Sequence, residues 1–444
     1  MRRRPRNHGF APTSLPRPRM KTAVIGGGIA GLACAYTLER KHRLPVTLFE
    51  AADYLGGHTH TVDVTVDGIT HPVDTGFLVF NHRTYPLLTR LFAELEVPTA
   101  ASEMTFSVSV SGGVEWAGAS LAALFAQPAN LLRPRFLGML RDMLRFNRAA
   151  TVAAQGPDDG ASLGAFLDAQ RYGKAFRDWY LLPMAGAIWS CPTATMLDYP
   201  FATFARFCFN HGLLQVTGRP QWYTVAGGGR EYVRRIAAHL TDVRLSLPVS
   251  RVRCAPGGVF VRTALGEERF DRVVLACHGD QALDLIEAPT PAEQEVLGAV
   301  RYQSNTAWLH TDIALLPRRR RAWAAWNYLA GKTDGNGERP VAVSYLINKL
   351  QPLPFTTPVI VTLNPAMPPR PDAVLARFNY AHPIFDHAVI SAQRDLERIQ
   401  GADRLWFAGA WCGHGFHEDG LKAGLAAAEQ VAASLAPTGY RAAA

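Results

Sequence analysis

The chain has no uninterrupted apolar stretch long enough to cross a bilayer, so any membrane contact has to be peripheral. It also has no C-x-x-C pair. Its six cysteines, Cys34, Cys191, Cys208, Cys254, Cys277 and Cys412, are scattered, mainly inside predicted core elements, which fits reduced thiols in a cytoplasmic protein. No metal site is expected. The first twenty residues lack the apolar core of a secretory signal and carry Arg2, Arg3, Arg4, Arg6, Arg17 and Arg19 among prolines. Without these six arginines the net charge falls from +9 to +3, so the basic balance says little about the folded body. The segment reads as a disordered basic arm or as an upstream extension of a chain that starts at Met20, with a transit-like sequence as the third reading. What is present is an ordinary globular composition: 444 residues, 48% of them hydrophobic, enough for a large core and two domains.

The most informative stretch is Lys21 to His60. A short apolar run, Thr22 to Ile25, reads as a buried parallel strand. Gly26, Gly28 and Gly31 then supply G-x-G-x-x-G, and Ile29 to Arg40 has helical composition. Gly26 permits a sharp turn, Gly28 lets the backbone approach a pyrophosphate, and Gly31 lets helix and strand pack closely. The helix start at Ile29 and Ala30 offers unpaired N–H groups to the anion. A second strand, Pro45 to Phe49, ends on Glu50, followed by Ala51, where a carboxylate can accept from both hydroxyls of an adenosine ribose and disfavours a 2′-phosphate. Strand, fingerprint, helix, strand and terminal acid together indicate a dinucleotide site; the fingerprint alone fits NAD or FAD.

Further along, Leu55-Gly56-Gly57-His58 follows Glu50 closely and resembles the glycine pair with which the flavin amine oxidase superfamily brings a second backbone segment to the FAD pyrophosphate. That superfamily commonly places an arginine after the pair, where this chain has His58. Asp74-Thr75-Gly76-Phe77-Leu78-Val79-Phe80-Asn81, Ala322-Trp323-Ala324-Ala325-Trp326-Asn327-Tyr328 and Gly415-Phe416-His417-Glu418-Asp419-Gly420-Leu421 are similar to the bacterial group of predicted FAD-binding oxidoreductases related to amine oxidases. More distantly the chain is similar to carotenoid desaturases and protoporphyrinogen oxidases. The resemblance spans almost the whole chain and implies an α/β fold: a Rossmann-type FAD-binding domain built from three chain segments (21–80, 227–300 and 401–436), with an interleaved α+β substrate domain (81–226 and 301–400) after the arm at 1–20. It also implies that Thr75, Gly76 and Phe77 pass the flavin ring, that Val249 pairs with the adenine, that Leu405 to Gly409 is the closing strand of the FAD domain, and that a helix from Gly420 and Leu421 onward faces the flavin pyrimidine.

Between these motifs the chain reads in order. Thr61 to Val66 and Thr70 to Val73 flank Asp67-Gly68 as a hairpin, Thr84 to Leu95 is a helix, and Met104 to Trp116 is a hairpin turning at Ser111-Gly112-Gly113. Phe136 to Arg148 places Phe136, Leu137, Leu140, Met143 and Leu144 on one helical face and Arg141, Arg145 and Arg148 on another. Such a helix suits an anionic membrane surface; a core-packed helix with a solvated basic face is the competing reading. Gly227, Gly229 and Tyr232 half-match a second dinucleotide fingerprint, but no acid ends the short strand Val243 to Leu247, so the turn reads as the return to the FAD domain. Arg318 to Arg321 beside Trp323, Trp326 and Tyr328 suits a lipid interface better than nucleic acid; a solvated arginine loop is the alternative.

Two departures from the resemblance bear on the substrate. Monoamine-oxidising relatives read Gly-Tyr where this chain has Gly415-Phe416, and many amine oxidases place a flavin-side lysine in a region where this chain has none between Leu297 and Gly331. Both argue against simple amine oxidation. The expected activity is therefore FAD-dependent desaturation of an unsaturated or modified fatty-acyl chain by hydride transfer, with amine oxidation, double-bond isomerisation and FAD binding without catalysis as the alternatives. The expected electron acceptor is oxygen or a quinone, and the expected location is cytoplasmic, at or near the inner membrane surface. His414, Phe416, His417 and Glu418 are the candidate catalytic residues; Glu418 and Asp419 also suit helix capping. His382 and His387 read as structural.

Overall fold

A computed structural model describes residues 20–435 apart from 112, 158–159, 190–194, 216–217 and 332–340. The basic arm, Cys191 and the Gly112 turn position lie outside the described residues. Thr22–Ile25 is buried at every position, as its unbroken apolar run requires of a central parallel strand. It pairs on one side with Arg272–Leu275 and on the other with Val46–Phe49. Leu405–Phe407 and Asp242–Arg244 extend the sheet at its two edges, all strands parallel. Strands from the first, middle and last parts of the chain thus meet in one sheet.

Helix Ile29–Arg40 is buried from Ile29 to Leu38, because the carboxy-terminal helix His417–Ala433 lies directly on it. Gly424 makes that approach possible: a Cβ there would strike the Ala30 carbonyl group. The carboxy-terminal helix starts at His417, three residues before the expected Gly420, so His417, Glu418 and Asp419 form its first turn.

A second sheet of seven strands runs in the order Val374–Ile384, Arg301–His310, Ile360–Leu363, Val341–Leu346, Trp326–Ala330, Phe106–Val110 and Glu115–Ala117. Only the pairing of Trp326–Ala330 with Phe106–Val110 is parallel. Helix Leu182–Trp189 packs on strand Trp326–Ala330 of this sheet, and helix Pro134–Gln155 packs on Phe201–Asn210. The hairpin Thr61–Val66 and Ile69–Asp74 turns through Asp67 and Gly68, both at positive φ, as an Asp-Gly pair favours. Residues 251–263 form two antiparallel strands, Arg251–Ala255 and Gly258–Thr263, that turn at Pro256-Gly257.

In the arginine and aromatic cluster near 320 the two halves separate: Arg318 to Arg321 are exposed, while the aromatics are half-buried or in the core. Trp326 is half-buried, Tyr328 is in the core, Trp323 donates from Nε1 to the Pro317 carbonyl oxygen at 2.7 Å, and Arg319 is paired with Glu115 at 2.9 Å. Trp326 and Tyr328 thus serve strand packing, and the exposed part of the cluster is the arginine run.

Candidate active site

A cavity of about 740 Å³ opens at the carboxyl ends of the parallel strands, where open α/β sheets bind ligands, and continues between the seven-stranded sheet and the helices. Its first part is the glycine turn. Gly26 has φ +111°, and a Cβ there would lie 2.7 Å from the Ala276 carbonyl oxygen, so only glycine fits. At Gly28 a Cβ would meet nothing within 4 Å: the backbone faces open cavity. Helix Ile29–Arg40 has no side-chain cap and no acid in its first turn, leaving its leading N–H groups to an anion.

Glu50 accepts from the Gly27 N–H through Oε2 at 2.6 Å and from the Ala52 N–H through Oε1 at 2.8 Å. The carboxylate is fixed beside the turn and lines the cavity together with Ala51. The Gly56-Gly57 pair folds over the turn, with the Gly56 N–H donating to the Gly27 carbonyl oxygen at 2.8 Å. His58, Thr75, Gly76, Phe77, Val249 and Gly409 also line this cavity. An open glycine turn, an uncapped helix start and a fixed ribose-side carboxylate fit FAD; Gly26, Gly28, Ile29, Ala30, Glu50, Ala51 and Gly57 are the residues that would hold its nucleotide half. Gly31, Gly420 and Leu421 do not line the cavity. They lie in the packing beneath it, Leu421 among core side chains and Gly420 against Ile29, because the helix starts earlier than expected.

The second glycine turn, Gly227 to Gly229, is closed by the chain itself. Both carboxylate oxygens of Asp74 accept from the Gly229 N–H, at 2.9 and 3.0 Å, where a phosphate would sit in a dinucleotide site. Asp74 also accepts from Thr61 Oγ1 and from Gln351 Nε2, the latter at 2.7 Å. Burial pushes its pKa up to about 6, still ionised at neutral pH, and the bonds from Thr61 and Gly229 oppose the rise. Two similar glycine sequences thus have opposite fates, one open and one filled.

Of the four candidate catalytic residues, two reach the cavity. Phe416 is in its wall, stacked on Phe207 with ring centroids 4.9 Å apart. His417 is there too, stacked on Phe77 at 4.0 Å, with Nε2 2.8 Å from the Tyr232 hydroxyl, which in turn lies 2.6 Å from Thr59 Oγ1. Glu418 is turned away: its oxygens accept from the Leu87 and Leu88 N–H groups at 2.7 and 3.0 Å. It caps helix Pro86–Glu94, a neighbour in space rather than its own helix. His414 is exposed and does not line the cavity. Asp419 accepts from the Phe416 N–H at 3.0 Å and so does cap its own helix.

Several cavity residues escaped the sequence reading. His211 follows helix Phe201–Asn210, and its Nδ1 lies 3.0 Å from the Phe207 carbonyl oxygen. A carbonyl only accepts, so Nδ1 carries the proton and the lone pair is on Nε2. His382, expected to be structural, lines the cavity beside His58, their rings 5.2 Å apart, and His278 stands 6.2 Å from His58. Tyr380 and His382, two apart on one strand, share a face, a signal the alternation offers. Trp326, Tyr345, Leu363, Met104 and Ile188 complete the apolar walls.

Burial holds these histidines neutral. The pKa is pushed down to about 4 at His58, His211 and His278, and to about 3 at His382 and His417, with desolvation the leading cause throughout; His310, outside the cavity at the end of strand Arg301–His310, is lowered to about 4 in the same way. An unfolded histidine titrates near 6.5. Between about pH 6.5 and 4 the unfolded chain therefore binds protons that the folded chain refuses, and stability falls as pH falls through that window. Asp74, Asp280, Glu418 and Asp419, whose pKa values burial raises, act in the opposite sense, Asp74 from about pH 6 downward. Urea unfolding of the apoprotein at pH 7.5 and pH 5 is expected to show a clear loss of stability at pH 5; equal midpoints would contradict the buried neutral histidines.

With this geometry in place, comparison with known proteins is decisive about the family. Residues 29–312 match the family described as flavin containing amine oxidoreductase, and the chain belongs to it. The family is a flavin-containing one, which the open first glycine turn and the fixed Glu50 carboxylate fit. Among characterised relatives, it is 28% identical over 314 residues to the carotenoid phi-ring synthase of Streptomyces griseus, covering 65% of this chain and 57% of that protein. It is 33% identical over 115 residues to the polyenoic fatty acid isomerase of Ptilota filicina, covering 25% of this chain and 22% of the other. The matches thus span little more than half of the first and about a fifth of the second. Among solved structures, cyclohexylamine oxidase from Brevibacterium oxydans has a TM-score of 0.65 at 16% identity, covering 94% of this chain and 100% of that one. A CLA-producing fatty acid isomerase from P. acnes has a TM-score of 0.65 at 15% identity, covering 94% and 99%. At these identities the structures share the fold.

Proposed function

We propose that the chain oxidises a long apolar, unsaturated chain, most simply by desaturating an acyl lipid at an allylic position. The observation that carries this reading is the wall of the cavity beyond the nucleotide half. Met104, Ile188, Phe207, Leu213, Trp222, Trp326, Leu363 and Phe416 line it, and none of the acidic residues lining the cavity stands among them: Glu50 is beside the first glycine turn, and Asp284 is on helix Gly279–Leu285. An ammonium substrate would find no carboxylate there, whereas a hydrocarbon chain gains by burial at about 25 cal/mol per Å².

FAD, held by Gly26, Gly28, Ile29, Ala30, Glu50, Ala51 and Gly57, would supply the hydride acceptor, with oxygen or a quinone as the final electron acceptor. The chain's own part is to hold the substrate against the reactive face, exclude water and accept the second proton. His211 suits the last task, since its Nε2 lone pair is pinned by the Phe207 carbonyl and its ring stands 5.6 Å from Phe416. Its depressed pKa means a proton taken there is passed on rather than kept. His417, bonded to Tyr232, is the other neutral imidazole in the wall.

Double-bond isomerisation, in which the hydride returns to the same chain, is the second reading. It is favoured by the likeness to the two fatty acid isomerases. In that case the product double bond moves and the flavin shows no net reduction.

Phe416 tests the substrate class. Phe416→Tyr is expected to be neutral or mildly harmful with an unsaturated acyl lipid, because a hydroxyl buried without a partner costs about 1–3 kcal/mol. Phe416→Ala should be worse, opening a cavity beside Phe207 and loosening the reacting geometry. The measurement is the rate of anaerobic flavin reduction in wild type and both variants. A tyrosine variant that accelerates reduction by a small amine would overturn the apolar reading.

A further inference from the structure

Helix Pro134–Gln155 sorts its side chains differently from the sequence pattern. Phe136, Met139, Phe146 and Ala150 are in the core, whereas Leu137 and Leu144, expected on the same face as Phe136, are each 46% exposed. At 100° per residue Leu137, Arg141, Leu144, Arg148 and Val152 form one outward stripe, with Arg145 at its margin. Val152 is 73% exposed, and the turn just before the helix, Pro128–Leu132, exposes Leu131 and, at 87%, Leu132. Leu121 is exposed as well, so six of the thirteen large hydrophobic residues exposed among the described residues fall between 121 and 152.

The charge of this segment has one sign. From 121 to 155 the chain carries Arg133, Arg135, Arg141, Arg145 and Arg148 against a single acid, Asp142. Asp142 is buried, accepting from the Gly173 N–H at 3.0 Å and from Arg145 at 2.8 Å, with Arg141 3.5 Å away, so one carboxylate is shared among these groups and the segment keeps a net positive charge. Arg141 and Arg148 remain exposed among the leucines. A face of this kind is poorly suited to water because of its leucines and to an apolar protein groove because of its arginines. It is complementary to a bilayer surface, where leucines enter the acyl boundary and arginines reach the phosphates.

We propose that the outer face of Pro134–Gln155, with the preceding turn Pro128–Leu132, docks on the surface of an anionic phospholipid bilayer. The inner face of the same helix packs on Phe201–Asn210, with Phe146 against Phe201 and Phe204, and that second helix brings Phe207 and then His211 to the cavity wall. The docking face is one helix layer from the cavity. The inference rests on exposure and charge and stands independently of the substrate.

The test is flotation of the FAD-loaded full chain with vesicles of phosphatidylcholine alone and of phosphatidylcholine mixed equally with phosphatidylglycerol. Wild type is expected to float with the anionic vesicles, less so as salt is raised. Each arginine near an anionic surface contributes about a five-fold change in partition, so Arg141→Glu with Arg148→Glu should reduce binding by about 25-fold or more. Leu132→Ser, Leu137→Ser and Leu144→Ser together should also release the protein while leaving bound FAD and thermal stability unchanged. Failure of wild type to float would overturn the proposal. So would binding that neither variant set weakens, which would place the contact elsewhere, for instance on the basic arm. Sedimentation showing a wild-type dimer that the serine variant dissolves, without vesicle binding, would assign the face to a second copy instead.

Discussion

Apoprotein carrying Glu50→Ala is expected to bind FAD at least about a hundred-fold more weakly than wild type. Hydrogen bonds to a charged acceptor contribute about 1.5–3 kcal/mol each, and a carboxylate facing a ribose would accept two. It also holds the glycine turn, through the Gly27 N–H at 2.6 Å, and the Ala52 N–H, so its loss loosens the turn that meets the pyrophosphate. Glu50→Gln should fall between the two, keeping an acceptor without the charge. The check is titration of apoprotein with FAD, followed by flavin fluorescence. Unchanged affinity in the alanine variant would remove Glu50 from the ribose site.

Asp74→Ala should have the largest effect on folding. One side chain accepts from the Gly229 N–H, from Thr61 and from Gln351, while its own N–H donates to Gln351 Oε1 at 3.0 Å. It thereby ties the hairpin ending at Asp74, the glycine turn before helix Arg230–Ala237 and the end of the short helix Ile347–Leu350 into one buried knot. Removing the acceptor leaves buried donors unpaired, at a cost on the order of 4 kcal/mol. Urea denaturation of wild type and variant measures it. A loss below about 1 kcal/mol would mean that the knot relaxes and that the closed second glycine turn is not held by Asp74.

What the sequence made legible was local. Thr22 to Glu50 needs only neighbours along the chain: an apolar run, three spaced glycines and an acid at the next strand end produce an open anion site. The Asp67-Gly68 turn is equally self-contained, since both residues take positive φ. The rest depended on partners distant in sequence. Glu418 looked like an acid near the flavin or a cap for its own helix, but the N–H groups that capture it belong to Leu87 and Leu88, 331 and 330 residues away. The filling of the Gly227 turn by Asp74, 155 residues away, left only a faint trace, the missing acid after the next strand. On Pro134–Gln155 the heptad spacing of Leu137 and Leu144 suits an inner or an outer stripe equally; Phe136 and Phe146 win the core because larger rings bury more area. His211 gave no signal beyond its spacing from Phe207, because its role depends on which ring nitrogen the helix end restrains.

The measurement that bears most directly on the central claim is anaerobic flavin reduction in the purified FAD-loaded protein, with three donors compared in parallel: an unsaturated acyl lipid, a benzylamine-like amine and NADH. The open first glycine turn, the second turn filled by Asp74 and the apolar wall around Phe416 together predict reduction by the lipid, with the amine and NADH slow or inert. Rapid stoichiometric reduction by the amine, with none by the lipid, would contradict the account of the cavity, and rapid reduction by NADH would contradict the account of the closed second turn.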